Sequence, residues 1–239
     1  MKFPVPLIEG RLVRRYKRFL SDVELVNAAD GSTNGTVTAH CANPGSMLGL
    51  TTPGSEVWLS PATDPKRRLR YSWELIRVGD HLVGINTAHP NRLAAEAIVA
   101  GRIPELAGYE TLRREVRYGR NSRIDILLEG GGRAPCYVEV KNVHLRRETA
   151  AEFPDSVTAR GAKHLDEMAE MVATAGARAV MLYIVQRADC DRFAIAGDID
   201  PAYAAALDRA RAAGVEVLCY SCTVRRDGIE VARPLPLAL

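Results

Sequence analysis

No apolar run in this chain approaches the length of a membrane span. The opening residues, Met1-Lys-Phe-Pro-Val-Pro-Leu-Ile-Glu-Gly10, lack the extended apolar core of a secretory signal. A cytoplasmic protein with no membrane partner is the expectation. The five cysteines are odd in number and unevenly spaced, which argues against a disulfide framework. Cys219-Tyr-Ser-Cys222 is a lone C-x-x-C without the second pair that a zinc site needs. On a strand, its two thiols face opposite sides. No nucleotide-binding glycine loop, serine-nucleophile elbow or internal repeat is present. An excess of one charge is also missing, since the 239 residues carry a formal net charge of only +3. With 47 % apolar and 26 % charged residues, the chain has the composition of a globular protein of one large domain or two modest ones.

The basic residues that are present come in clusters. Arg11, Arg14, Arg15, Lys17 and Arg18 are interleaved with Leu12, Val13, Tyr16, Phe19 and Leu20. Lys66, Arg67, Arg68 and Arg70 run into Tyr71 and Trp73, and Arg113, Arg114, Arg117, Arg120 and Arg123 form a third group. Each alone reads as a solvated strand face. Together, with aromatics among them, they suit a phosphate backbone and stacked bases. DNA or RNA is therefore the expected partner, and no protein partner is implied.

The third cluster leads into Arg123-Ile-Asp125, a break at Gly130-Gly131-Gly132, and Val138-Glu139-Val140-Lys141. The glycines read as the tip of a hairpin. Side chains alternate along a strand, so Glu139 and Lys141 share a face. Counting back from the tip brings Asp125 opposite Glu139, to within a register step. An acid-x-base pair on a solvated strand would be unremarkable, but Ile124, Ile126, Leu127, Leu128, Val138, Val140 and Val143 make both strands apolar enough for the interior. Charges buried there need a metal or a partner. Two carboxylates make a hard oxygen site suited to Mg²⁺ or Mn²⁺, and a neighbouring lysine can orient or deprotonate a water.

Hydrophobic patterning divides the chain in two. Up to about residue 85 it predicts short strands at Gly10–Leu20, Val23–Asn27, Thr36–Cys41, Glu56–Ser60, Arg70–Val78 and His81–Ile85, with Asp30-Gly31, Asn34-Gly35, Pro44-Gly45 and Pro53-Gly54 as turns. A small β-barrel of the oligonucleotide-binding type fits. From about residue 90 it predicts a helix over 90–100, strands near 113–118, 123–129 and 136–144, and a helix over 155–174 capped by Asp155 or Ser156. A buried strand at 179–185, a helix over 201–213 and a strand at 215–221 follow. Strands alternating with helices imply a partly parallel sheet covered by helices. The expected division is residues 1–86 and 87–239. On the 155–174 helix, Arg160, Lys163 and Glu167 share a face beside His164, and the first two would hold a phosphate near the helix N-terminus. Glu96, on the preceding helix, is a candidate third carboxylate.

His40-Cys-Ala-Asn-Pro-Gly-Ser-Met47, Asn91-Arg-Leu, Arg123-Ile-Asp-Ile-Leu-Leu128, Tyr137-Val-Glu-Val-Lys-Asn142, the stretch Phe153–Leu165 and Val185-Gln-Arg187 resemble the sugar fermentation stimulation protein family, SfsA. The resemblance spans residues 10 to about 225. It implies an N-terminal oligonucleotide-binding barrel followed by a mixed-sheet α/β domain of the PD-(D/E)xK nuclease-like kind. It also implies a divalent metal on Asp125 and Glu139, with water assisted by Lys141, Glu96 as an upstream acid, and Arg160 and Lys163 facing phosphate. Ile124 stands where the superfamily's name places proline.

The expected function is a Mg²⁺-dependent nuclease acting on DNA or RNA, in which Asp125, Glu139, the Val140 carbonyl and Glu96 surround the metal. Arg14, Arg15, Lys17 and Arg18 on the barrel would lead the strand in. The alternative is a non-catalytic DNA-binding regulator on the same scaffold, which the resemblance links to maltose metabolism. All three core positions keep competent residue types, which favours the enzyme.

Overall fold

The computed structural model describes residues 1–26, 33–118 and 122–239. Asn27, the Asp30-Gly31 turn and Arg120 lie outside them. The first part forms six strands: β1 (Ile8–Tyr16), β2 (Leu20–Val26), β3 (Thr33–His40), β4 (Glu56–Pro61), β5 (Tyr71–Val78) and β6 (His81–Gly84). Their order is β3-β2-β1-β4-β5-β6, and the pairing of His40 with Ser72 joins β3 to β5. That closes five strands into an OB-like barrel. Leu12, Val23, Val57, Leu59, Trp73, Ile76 and Val83 are buried together inside it. Each such large side chain removed from water contributes roughly 1.5–3 kcal/mol.

The single strand expected over Gly10–Leu20 is two strands. The chain turns at Lys17 and Arg18, whose φ values are 46° and 62°. Arg15 secures the turn by donating from Nε to the Arg18 carbonyl at 3.1 Å. Neither glycine nor proline occurs there, so the sequence carries none of the usual turn chemistry.

The second part begins with α1 (Pro90–Val99) and a short 3-10 turn at Pro104–Leu106, followed by β7 (Thr111–Tyr118), β8 (Ser122–Glu129), β9 (Cys136–Val143), β10 (Leu145–Arg147) and β11 (Ala150–Phe153). Next come α2 (Ala159–Ala175), β12 (Arg178–Val185), β13 (Arg192–Ile195), α3 (Pro201–Ala212), β14 (Glu216–Arg225), β15 (Gly228–Pro234) and β16 (Leu237–Ala238). The main sheet has the order β15-β14-β12-β9-β8-β7, with β9, β12 and β14 parallel and the outer pairs antiparallel. A small sheet, β10-β11-β13-β16, stands beside it.

β12 shows why this sheet is covered on both faces. Val180, Leu182 and Ile184 pack in one core with Leu93, Ala94 and Ala97 of α1. Ala179, Met181, Tyr183 and Val185 pack in the other with Leu165 and Met168 of α2 and Tyr203 and Leu207 of α3. Cys219 and Cys222 fall into opposite cores, as their spacing requires.

α2 starts later than its sequence pattern indicates. Its N-cap is Thr158, whose hydroxyl accepts from the Gly161 amide at 3.2 Å. Asp155, the expected cap, instead accepts from the Met47 amide at 2.9 Å and from His144 Nε2 at 3.1 Å. Ser46 Oγ donates to the Asp155 carbonyl as well. These bonds tie the barrel's 43–47 loop to the α/β part. Gln186 makes a second tie, with its carbonyl accepting from Gly84 N at 2.8 Å and its amide donating to Asn86 O at 3.0 Å and Asn142 Oδ1 at 2.7 Å. Residues 1–3 lie along β15, through a Lys2–Gly228 bridge and a 3.0 Å bond from Phe3 N to Asp227 O. Among the described residues no helix is long and apolar enough to cross a membrane.

Candidate active site

Gly130, Gly131 and Gly132 all have positive φ, at 90°, 68° and 68°, and turn β8 back into β9. The β8–β9 ladder pairs Leu128 with Cys136, Leu127 with Tyr137 and Ile126 with Val138. One step further, Asp125 stands opposite Glu139. There the ladder ends, and the Asp125 carboxylate takes the Val140 amide with Oδ2 at 2.8 Å. Its Oδ1 accepts from Asn91 Nδ2 at 2.6 Å, at the N-terminal end of α1.

Glu139 is nearly enclosed, its side chain only 4 % exposed. Oε1 accepts from Lys141 Nζ at 2.7 Å and from His164 Nδ1 at 2.5 Å. Arg160 Nε points at the other imidazole nitrogen, Nε2, 3.3 Å away. Glu139 Oε2 is buried and has no hydrogen-bond partner among the described residues. An orphaned carboxylate oxygen costs stability unless something meets it.

The two acids divide their charge unequally. Burial, then the neighbouring Glu139 carboxylate, pushes Asp125 up to about 6, against the pull of the Val140 amide, Lys141 and Asn91. Burial also works to raise Glu139, but the His164 hydrogen bond and the Lys141 charge outweigh it and hold this carboxyl below its usual range. A cation between the two would relieve their repulsion and satisfy Oε2.

A cleft of about 820 Å³ brings together Asp125, Glu139, Val140, Lys141, Arg160 and Lys163, with Arg123, Glu115 and His164 on its walls. Glu96 is not among the lining residues. It lies further along α1, where it accepts from Arg92 at 2.7 Å and pairs with the α-amino group of Met1 at 2.8 Å. The α1 residue that reaches Asp125 is Asn91. The described residues contain no group of three His, Cys, Asp or Glu side chains placed to hold one ion. Asp125 and Glu139 are thus the paired carboxylates of the cleft, with Val140 beside them.

The four basic residues expected to bind nucleic acid from the barrel part company. Arg14 is matched by Asp22 at 2.8 Å and lies over the Tyr16 ring. Arg15 spends its donors on the carbonyls of Arg18, Ser46, Asn43 and Gly45, and so acts as a clamp on the loop. Lys17 and Arg18 are exposed at the turn. Two residues named in the sequence but given no role in the site are Asn91 and His164. His164 follows Arg160 by four positions, one helical turn, and that spacing was the available signal.

The fold defines the class: a closed OB-like barrel followed by a mixed-sheet α/β domain, here with an aspartate beside a Glu-x-Lys strand. The chain belongs to the sugar fermentation stimulation protein family. Residues 88–228 match the family's RE domain and residues 13–85 match the SfsA N-terminal OB domain. The chain is 62 % identical to the sugar fermentation stimulation protein homolog of Rhodospirillum centenum, over 100 % of both chains. It is 58 % identical to that of Maricaulis maris, over 100 % of this chain and 99 % of the relative. It is also similar to a solved structure described as Pyrococcus furiosus SfsA in complex with Ca²⁺, at 26 % identity and a TM-score of 0.88, covering 100 % of this chain and 98 % of that one.

Proposed function

We propose that the chain is a divalent-metal-dependent nuclease that hydrolyses phosphodiester bonds of DNA or RNA. The observation that carries this reading is that Asp125 and Glu139 line one cleft, with Glu139 Oε2 buried and unpartnered among the described residues. The Ca²⁺ named in the description of the Pyrococcus furiosus structure is consistent with a hard-cation site in this fold.

Asp125, Glu139 and the Val140 carbonyl would hold Mg²⁺ or Mn²⁺. When bound, the ion supplies Lewis acidity toward a phosphate oxygen and lowers the pKa of a water. His164 donates to Glu139 and fixes the orientation of its carboxylate. Lys141 reaches the cleft from the same strand face and orients or deprotonates the attacking water. Arg160, Lys163 and Arg123 line the entrance with positive charge and would hold the scissile phosphate.

The test incubates labelled single- and double-stranded DNA and RNA with the protein in Mg²⁺, Mn²⁺ or EDTA. Cleavage is expected with the metals only, and Glu139→Ala should lower it at least 100-fold while retaining salt-sensitive binding. A Glu139→Ala protein that cuts as fast as the parent refutes the assignment. The second reading, a non-catalytic DNA-binding regulator, draws on the ion pair that already engages Lys141 with Glu139. Binding with no turnover in any metal would favour it.

A further inference from the structure

A second cavity, of about 670 Å³, adjoins the acidic cleft, and Pro44 and Thr87 line both. Its volume falls within the roughly 300–1,000 Å³ of small-ligand sites. It opens where the barrel meets the α/β part, between the 43–46 loop and residues 153–158. Those two stretches lie more than 100 positions apart in the chain, and Asp155 bonds them together.

The walls are of mixed character. Asn142, His144, Asp155 and Ser156 are polar but bonded to one another or to Gln186, Phe153 and Val157 offer apolar surface, and Arg15 and Arg18 close the barrel side. Arg15 is occupied with backbone carbonyls, whereas the Arg18 side chain makes no ion pair among the described residues. Val157, on the cavity wall, is 74 % exposed, and two more large apolar side chains stand exposed next in sequence to the lining stretches: Phe19 at 44 % and Leu48 at 48 %. Phe19 follows Arg18, and Leu48 follows Met47, whose amide is held by Asp155. Exposed apolar surface beside an uncommitted cation matches a nucleotide, which has an apolar face and an anionic phosphate.

We propose that this cavity receives one unstacked base of a single-stranded segment, whose neighbouring phosphate continues past Pro44 and Thr87 into the Asp125–Glu139 cleft. The substrate class is then single-stranded nucleic acid, or a duplex end that has opened. A base still paired within a duplex is stacked above and below and does not fit between the two loops. This rests on the reading of the cleft as a phosphodiester site and adds the form of the strand that enters it.

The test measures binding of the full chain in EDTA, so that no turnover intervenes. The probes are a fluorescein-labelled 12-nucleotide single strand and the duplex of the same sequence. A parallel set carries 2-aminopurine at successive positions. The single strand is expected to bind at least ten-fold tighter, with one 2-aminopurine position changing in intensity on binding. Val157→Trp, which fills the cavity from an exposed position, should weaken single-strand binding at least five-fold, leave duplex binding within two-fold and abolish that signal. Phe19→Ala, also at an exposed position, should weaken single-strand binding about three-fold. Equal affinity for both probes, or single-strand affinity indifferent to both substitutions, overturns the proposal. If Mg²⁺-dependent, Glu139-dependent cleavage of the duplex persists in that case, the cleft reading stands and the base site alone falls. Failure to bind either probe removes both.

Discussion

Asp125 sits in a place that opposes its own charge. Its folded value of about 6 lies above its ordinary 3.8, because burial and the Glu139 carboxylate both disfavour ionisation. Between those two values the folded chain keeps a proton that the unfolded chain has released, so stability falls as pH rises through this window. Above pH 6 the ionised group costs roughly 3 kcal/mol. Asp125→Asn keeps an acceptor for the Val140 amide and removes the charge. With metal chelated, it should raise stability at pH 8 by up to about 3 kcal/mol, and by little at pH 4, as read by urea denaturation. A variant no more stable than the parent at pH 8 contradicts this electrostatic account. Asp125, Glu139 and Lys141 were legible in the sequence because their relation is local, being set by a hairpin tip and the two-residue strand repeat. Glu96 was misplaced for a reason of helix geometry. Residues 91 and 96 are five apart, which at 100° per residue turns their side chains about 140° from each other. The helix itself was evident, but which face of it met the sheet was not.

The two helices over the β12 side of the sheet share a cap. Asp200 is 2 % exposed and is the N-cap of α3, accepting from the Tyr203 amide at 3.0 Å. Its other oxygen accepts from the Thr158 amide at 2.7 Å, at the N-cap of α2. Removing this carboxylate leaves the buried Tyr203 amide and the half-buried Thr158 amide without this partner, one at each helix start. Asp200→Ala should therefore cost more than an ordinary cap, about 2–4 kcal/mol in urea denaturation. A loss under 1 kcal/mol would show that water replaces both bonds. The seventeen residues of α2 were readable from their apolar spacing, though the start was set four residues early. Asp155 and Ser156 are plausible caps by type, and only the tertiary bond from Met47 shows that Asp155 is already committed. The sheet of β10, β11, β13 and β16 left no trace in the pattern. Its strands run two to four residues, too few for a period to register.

The barrel and the α/β part are joined by polar bonds fitted around two glycines. A Cβ on Gly45 would collide with the Asp155 carboxylate, and one on Gly84 with the Gln186 side chain. Gly45→Ala must push that carboxylate off the Met47 amide, at a cost of about 1–3 kcal/mol. Calorimetry should show one cooperative transition for the parent and a lowered midpoint for this variant. Two resolved transitions in the parent would mean that the halves unfold separately. The order barrel-then-sheet was visible in the change of periodicity near residue 90. The lock between them was not, because Asp155 and Gln186 look like ordinary loop and strand residues until their partners are known. The same fitted interior encloses every sulfur of cysteine. All five thiols are free and buried, and burial pushes those of Cys136 and Cys190 up to about 11 and that of Cys222 up to about 12. At neutral pH such groups carry almost no thiolate and lie out of reach of alkylating reagents. The native chain is thus a blank background for maleimide chemistry. A dye attached through a cysteine introduced at Val157 would report on the mouth of the interdomain cavity alone.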